Sequence, residues 1–221
     1  MTPIRRLVGA SLLALATLLA LAPAPAFGQE TRLIAGEPLF IDDRGHCAIG
    51  AVVRTADGGG GFLTGYGCGE VGGTVRLANG QRGTVEWASR SDVVAFVRAH
   101  QDWILTPYAH RYGGGDDLTV RGSREAPVGD SVCRSGPTTG WHCGTIQAKN
   151  QSLYPVPWPV HGVTRTTICV EPGDHGGPVY SGDQLQGITI GGSGNCRTGG
   201  VTFFRPIEQI LPKYDLTLVT G

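Results

Sequence analysis

The chain has 221 residues, of which 36 are glycine and 16% are charged, with equal numbers of basic and acidic residues. This length fits one large all-β domain or two half-size ones. A chain of this length can bury a hydrophobic core without a structural metal ion. The balanced charge argues against partners that bind through positive charge, namely nucleic acid and anionic membrane surfaces. High glycine with few charges favours many short strands joined by tight turns.

Residues 1–26 have the pattern of a secretory signal. Arg5 and Arg6 give a basic start, residues 7–21 form an Ala/Leu-rich apolar run, and residues 24–26 offer a small-residue cleavage site. A membrane anchor is the alternative, but the uncharged run over 7–27 carries Pro23 and Pro25 near its end and stops at a small-residue site. We therefore expect a secreted protein with no membrane contact after cleavage, and a slight acidic excess once both arginines are removed.

Strand-like runs bounded by turn signals fill the rest of the chain. They lie at 48–54, 61–64, 74–77, 83–87, 93–98, 118–120, 131–134, 144–149, 163–170, 186–190 and 201–204. A short helix is predicted around 206–211, where Pro206 suits a first helical position. Many short antiparallel strands predict a sandwich or barrel. A Gly/Asp cluster at 113–117 divides the chain into β halves over 27–113 and 114–221.

All six cysteines follow the signal segment, so an oxidising compartment predicts three disulfides. Fifteen pairings are open from sequence alone. Sequential pairing would join Cys47 to Cys68, Cys133 to Cys143, and Cys169 to Cys196.

Four strings of sequence carry a resemblance to a known family. EPGDHGGP at 171–178 resembles the nucleophile loop GDSGGP of chymotrypsin-fold serine peptidases, and GFLTGYGCG at 61–69 resembles GFLTAGHCG. VCRSGPTTGWHCG at 132–144 and GGSGNCRTGG at 191–200 are typical of the streptogrisin and α-lytic branch of bacterial enzymes. The resemblance implies two six-stranded antiparallel barrels with a cleft between them, and sequential disulfides. A long pro-region is usual in the family, whereas only residues 27–35 precede the mature-like segment here.

The same strings depart from the family's catalytic residues. His175 stands in place of the nucleophilic serine, and Gly67 stands in place of the triad histidine. Ile190 replaces a serine that normally hydrogen-bonds the triad aspartate. Because serine attack needs a base and an oriented imidazole, the resemblance predicts a peptidase homologue without peptidase activity.

The triad aspartate falls at either Asp92 or Val93. The family pattern AxVR, matched by residues 95–98, points to Val93. Successive side chains of a strand face opposite ways, so one residue decides which of the two enters the cleft. We favour Val93, because it would pack against Ile190, whereas a buried Asp92 would lack polar partners. We expect Tyr66, His175 or both to lean toward Gly67 and fill the space; if Asp92 faces the cleft instead, His175 would hydrogen-bond it.

Other parts of the family's site are kept. The amides of Gly173 and His175 would form the oxyanion hole, and Arg134 would pair with Asp174 behind it. Gly191 and Gly192, after Ile190, would present a strand edge to an extended peptide. We therefore expect a monomer that binds an extended peptide or protein, a protease inhibitor being one option.

Two other interpretations stay open at this point. His175 as a metal ligand with His46, His142 or His161 is disfavoured because none of them lies at a spacing that metal sites use; we expect neither metal nor cofactor. An active secreted serine endopeptidase using Ser181 or Ser193 is the alternative function, but no histidine lies in a motif position to serve either serine.

Overall fold

The computed structural model describes residues 30–41, 45–154 and 158–221, so the predicted signal at 1–26 lies outside the described residues. The strands are β1 (Arg32–Ala35), β2 (Pro38–Phe40), β3 (His46–Ala48), β4 (Ala51–Thr55), β5 (Gly60–Gly65), β6 (Thr74–Leu77), β7 (Arg82–Ser89), β8 (Val94–Arg98), β9 (Ile104–Ala109), β10 (Leu118–Thr119), β11 (Ser131–Gly136), β12 (Gly140–Leu153), β13 (Val160–Thr166), β14 (Pro178–Ser181), β15 (Gln184–Asn195), β16 (Gly199–Pro206) and β17 (Leu216–Leu218).

The second half of the chain forms a closed barrel in the order β11-β12-β13-β16-β15-β14. The first half forms an eight-stranded sheet in the order β17-β4-β5-β8-β7-β6-β2-β3, and β1, β9 and β10 form a small separate sheet. The predicted all-β, chymotrypsin-like architecture is confirmed. The observed sheets differ from the predicted pair of six-stranded barrels, because only the second half forms a closed barrel of six hydrogen-bonded strands.

The C-terminal strand connects the two halves. Strand β17 crosses back and pairs with β4, antiparallel, with Leu216 opposite Thr55. The proposed division at residue 113 remains a prediction. Strand β17 belongs to the second half in sequence but to the sheet of the first half in space. The predicted C-terminal helix is a pair of 3₁₀ turns, Ile207–Gln209 and Pro212–Tyr214, with Pro206 at the N-cap. No helix in the described residues is long and apolar enough to span a membrane.

The strands that pattern reading missed are short or contain proline. Proline removes a backbone donor and argues against a central strand, yet β2 and β14 begin with proline and β9 carries Pro107 inside it. The β12 strand runs for 14 residues, longer than the six predicted. Proline is tolerated in these strands because of its position at a strand start or beside a less regular pairing.

Apolar side chains form a core in each half and one core between them. The core between the halves joins Val53 and Leu63 of the first half to Leu185 and Ile188 of the second. Three disulfides add to this, joining Cys47 to Cys68, Cys133 to Cys143, and Cys169 to Cys196, which are the sequential pairs. Burial of this inter-half core fixes the relative position of the segments that border the cleft.

Candidate active-site cleft

Backbone hydrogen bonds hold four segments together at the cleft. The amide of Tyr66, after β5, donates to the carbonyl of Val93, before β8, at 2.9 Å. The amide of Ala48 donates to the carbonyl of His175 at 2.9 Å, and the amide of Gly176 donates to Thr189 of β15 at 2.8 Å. The positions predicted from the family pattern are therefore brought to one place, at the boundary of the two sheets.

His175 is partly buried and its imidazole is turned back into the first half. Its Nε2 lies 3.0 Å from the carbonyl oxygen of Tyr66, so Nε2 carries the proton and donates. Burial lowers the pKa of His175 below its ordinary value, against the hydrogen bonds to the Tyr66 and Ile190 carbonyls, which raise it. The Nε2 atom is therefore committed to a backbone carbonyl.

The imidazole occupies volume that is free only because residue 65 is glycine. A Cβ atom built on Gly65 would overlap the Nε2, Cδ2 and Cε1 atoms of His175. The family string has alanine at this position, TAGHC against Thr64-Gly65-Tyr66-Gly67-Cys68. Glycine at 65 and histidine at 175 are therefore complementary in packing: the imidazole fits because the methyl group is absent. The sequence analysis did not single out Gly65.

No described residue fills the space beside Gly67. Gly67 has a φ of +90°, and a Cβ atom built there meets nothing within 4 Å. The Tyr66 ring turns instead to Trp158, edge to face, with centroids 5.5 Å apart. The expected plug is therefore wrong at this position: His175 packs against Gly65 and Tyr66 against Trp158, and neither fills the space next to Gly67.

Val93 and Asp92 point to different parts of the molecule. Val93 is 8% exposed and shares an apolar cluster with Val163 and Ile190. Asp92 Oδ2 instead accepts hydrogen bonds from Ser89 Oγ at 2.9 Å, Lys213 Nζ at 2.6 Å and Tyr214 OH at 2.5 Å. Burial alone would raise the pKa of Asp92, but these hydrogen bonds outweigh it and the pKa is lowered.

Strand alternation is not what separates these two side chains. Regular β8 begins at Val94, and Val93 lies in a turn with φ +58°, an unusual value for a β-branched residue. The buried Arg205 holds this turn, because its Nε donates to the Asp92 carbonyl at 3.0 Å and its Nη2 to the Ser91 carbonyl at 2.9 Å. The turn therefore directs the carboxylate toward the 3₁₀ turn at Pro212–Tyr214 and away from the cleft.

The 171–177 loop is held from behind by the Asp174 carboxylate. Oδ1 accepts from the amides of Thr138 and Thr139 at 3.0 and 3.2 Å. Oδ2 accepts from Thr139 Oγ1 at 2.8 Å and the Glu171 amide at 3.1 Å, and it lies 3.2 Å from Arg134 Nη2. Arg134 and Asp174 are both fully buried. A charged pair with this many partners fixes the loop without leaving a net charge behind it.

The same loop carries two backbone donors, the amides of Gly173 and His175. Gly173 has a φ of +99°, and Thr138 and His46 pack where its side chain would stand, so only glycine fits there. Within the described part of the chain, neither the Gly173 amide nor the His175 amide has a hydrogen-bond acceptor. This arrangement is able to bind an oxygen atom that carries negative charge.

Among the described residues, the strand edge next to the loop has no strand partner on its cleft side, although the His175 imidazole hydrogen-bonds the Ile190 backbone. Gly191 and Gly192 pair with Phe203 and Thr202 of β16 on one side. On the other side β14 pairs with β15 only as far as Ile188. A Cβ atom built on Gly191 meets nothing within 4 Å. This edge, residues 190–192, borders open space at the cleft.

The other histidines and serines do not form a second triad among the described residues. His46 Nε2 bonds to Thr138 Oγ1 at 3.0 Å, and His142 lies beside the sulfurs of the Cys169–Cys196 disulfide, which are not free thiolates. Ser181 Oγ donates to the Ser131 carbonyl at 3.0 Å. An exposed contact that sequence reading missed joins Ser152 Oγ and His161 Nδ1 at 2.8 Å.

The two packed β halves, the buried ion pair under the 171–177 loop and the two loop amides without an acceptor define the chymotrypsin-type serine-peptidase scaffold. The chain belongs to the trypsin family, whose sequence model, described as Trypsin, matches residues 70–213. It is 46% identical over 189 residues to streptogrisin-C of Streptomyces griseus, covering 84% of this chain but 41% of that protein. It is 34% identical to serine protease 2 of Streptomyces fradiae, covering 76% of this chain and 98% of the relative. Nocardiopsis protease (NAPase) superposes with a TM-score of 0.81 at 45% identity, covering 86% of this chain and all of that one.

Proposed function

We propose that this protein is a secreted, catalytically inactive serine-peptidase homologue that binds an extended peptide or protein segment in its cleft. The observation that carries the proposal is the state of the triad positions. An imidazole stands where the serine should be, and it donates its Nε2 proton to the Tyr66 carbonyl. The space beside Gly67, where a base would stand, is open.

The loss of both groups removes the chemical step. Serine attack requires a base within hydrogen-bond reach of the hydroxyl and a carboxylate that orients the base. Here Asp92 is bound to Lys213 and Tyr214, on the far side of its turn. Binding and the oxyanion site alone leave at most about 10³- to 10⁴-fold catalysis over water in enzymes of this kind.

The binding part of the proposal rests on what remains. In the described part of the chain, the edge at 190–192 has no strand partner on one side, Ile190 being engaged only by the His175 imidazole, and it borders open space at Gly191. An extended peptide adds to such an edge through main-chain hydrogen bonds. A monomer suffices for this mode, and a protease inhibitor that presents an extended loop is one partner that fits it.

A serine-directed fluorophosphonate probe tests the inactivity. The purified chain and an active streptogrisin are incubated with the probe, and intact mass and peptide mapping locate any adduct. We expect labelling of the streptogrisin only, and no casein or peptide hydrolysis by this protein. An adduct on Ser181, Ser193 or Ser152, with hydrolysis that the probe blocks and the corresponding alanine variant lacks, would overturn the proposal.

A further inference from the structure

We infer that the cleft recognises the free C-terminal carboxylate of a peptide, through the amides of Gly173 and His175. This inference rests on the proposed binding function and deepens it by naming the ligand class. A bound peptide would end in the cleft, with its last residues on the edge at 190–192.

The first argument is the fixed pair of donors. Both amides lack an acceptor within the described part of the chain. The loop that carries them cannot easily reorient, because Asp174 is held by hydrogen bonds from Thr138, Thr139 and Glu171 as well as by Arg134. Backbone amides on a loop held this firmly bind a carboxylate at little entropic cost.

The second argument is the removal of negative charge. An active member of the family has an aspartate at the position of Val93, which here is apolar and packs with Ile190. Asp174 is neutralised by Arg134, and Glu171 Oε1 accepts from the Cys196 amide at 3.1 Å. A carboxylate at the two amides therefore meets no aspartate on the cleft floor. Hydrogen bonds to an ionised acceptor are roughly twice as strong as those between neutral groups.

The third argument is room for the second carboxylate oxygen. One oxygen would accept from the two amides, and the other needs space and solvent. The open region beside Gly67 provides that space, since a Cβ atom there meets nothing within 4 Å. The strand edge leads directly to the amides, because Thr189 exchanges hydrogen bonds with Gly176 and Gly177 at 2.8 Å each.

Two peptides that differ only at the C-terminus test the inference. N-acetyl-tetra-alanine is titrated as the free carboxylate and as the carboxamide into the ¹⁵N-labelled, disulfide-intact chain, and amide shifts are followed by NMR. Alanine is used so that no side-chain pocket has to be assumed. We expect the carboxylate to bind about tenfold more tightly, with shifts at the Gly173 and His175 amides. The carboxamide should shift mainly the amide resonances of residues 191–193. Added salt should reduce the difference in affinity between the two peptides.

A matched pair of variants tests the electrostatic argument. Val93→Asp restores a carboxylate to the cleft floor, and Val93→Asn is its neutral counterpart; both residues suit the positive φ better than valine does. We expect a smaller preference for the carboxylate peptide in the aspartate variant than in the asparagine variant. The chemical-shift dispersion of the NMR spectrum shows whether each variant is folded. If neither variant folds, the comparison of the two peptides with the wild-type protein still tests the inference.

The outcomes separate the two proposals. Equal affinity for both peptides, with shifts limited to the strand edge, would overturn carboxylate recognition and leave the peptide-binding function standing. Absence of binding by either peptide at millimolar concentration would overturn both the carboxylate inference and the binding part of the proposed function. Inactivity is judged separately, by the serine-directed probe.

Discussion

Packing between Gly65 and His175 predicts a strong coupling between these two positions. Gly65 is the last residue of β5, where the backbone is extended, so alanine is conformationally acceptable. In the wild-type protein an added methyl group overlaps the imidazole and forces the ring to move. In a His175→Ser background the ring is absent, and the same methyl group meets only a small side chain.

The magnitude follows from what the ring loses. Displacement breaks the 3.0 Å hydrogen bond from Nε2 to the Tyr66 carbonyl, which contributes about 0.5–1.5 kcal/mol. Overpacking adds to this, up to about 3 kcal/mol in tight cores. We therefore expect Gly65→Ala to lower the free energy of unfolding by about 1–3 kcal/mol in wild type. With serine at 175 it should be neutral or stabilise by about 0.4–1 kcal/mol, because alanine restricts the unfolded chain.

The assay is equilibrium urea unfolding of the four proteins of this cycle, with disulfides intact. We expect a coupling energy of about 2 kcal/mol. Equal effects of Gly65→Ala in both backgrounds, or a stabilising effect in wild type, would refute the view that the imidazole occupies the space of the missing methyl group. An NMR spectrum of the Gly65→Ala variant adds a direct check, because the His175 resonances should shift.

Three further outcomes are expected. His175→Ser should show no peptidase activity in a fluorogenic peptide assay, because Gly67 offers no proton acceptor; measurable turnover would mean that another group acts as base. Arg134→Met should lower the free energy of unfolding by about 3–5 kcal/mol, because Asp174 is then buried without its counterion; Arg134→Met/Asp174→Asn should recover part of the loss, because the amide oxygen is neutral and still accepts hydrogen bonds from the Thr138 and Thr139 amides, and an additive loss would contradict this. Since the pKa of His175 is lowered by burial, the unfolded chain takes up its proton first. Stability is therefore fully present above the ordinary pKa of 6.5 and falls as pH drops from there toward the folded pKa, by up to about 1.4 kcal/mol per pH unit; the same urea series on His175→Gln should lack that part of the loss.

The family strings predicted the fold far better than strand patterns did. The loop at 171–178 and the string at 132–144 have spacings that only one scaffold accommodates, whereas period-2 reading missed β1, β2, β9, β14 and β17. Those strands are short or contain proline, so local preference opposes them and tertiary pairing decides. Strand β17 in particular is three residues long and gains its stability from β4 across the chain.

The site was predicted less completely, because its open space depends on side-chain directions. Alternation favoured Val93 as the cleft residue, and the structure has Val93 beside Ile190, but the cause is a turn with positive φ held by Arg205. Nothing local to Asp92 reveals its contacts with Lys213 and Tyr214, about 120 residues away. The Gly65 substitution was visible in the sequence, and only its contact with His175 gave it meaning.

The altered positions form two packed pairs, which bears on what single substitutions toward the family pattern would do. His175 needs Gly65 for its ring, and Val93 needs an apolar neighbour, which Ile190 provides. A serine at 175 alone leaves a void over Gly65, and an aspartate at 93 alone stands against an apolar side chain without a histidine to receive its hydrogen bond. We therefore expect each single substitution toward the family pattern to cost stability and, if the proposed inactivity is correct, to give no peptidase activity. The oxyanion loop is different, because its geometry depends on Gly173, Asp174 and Arg134, none of which contacts the altered residues through a side-chain hydrogen bond in the described chain. Its donors persist for that reason, and they are the part of the old site that remains free to bind a ligand.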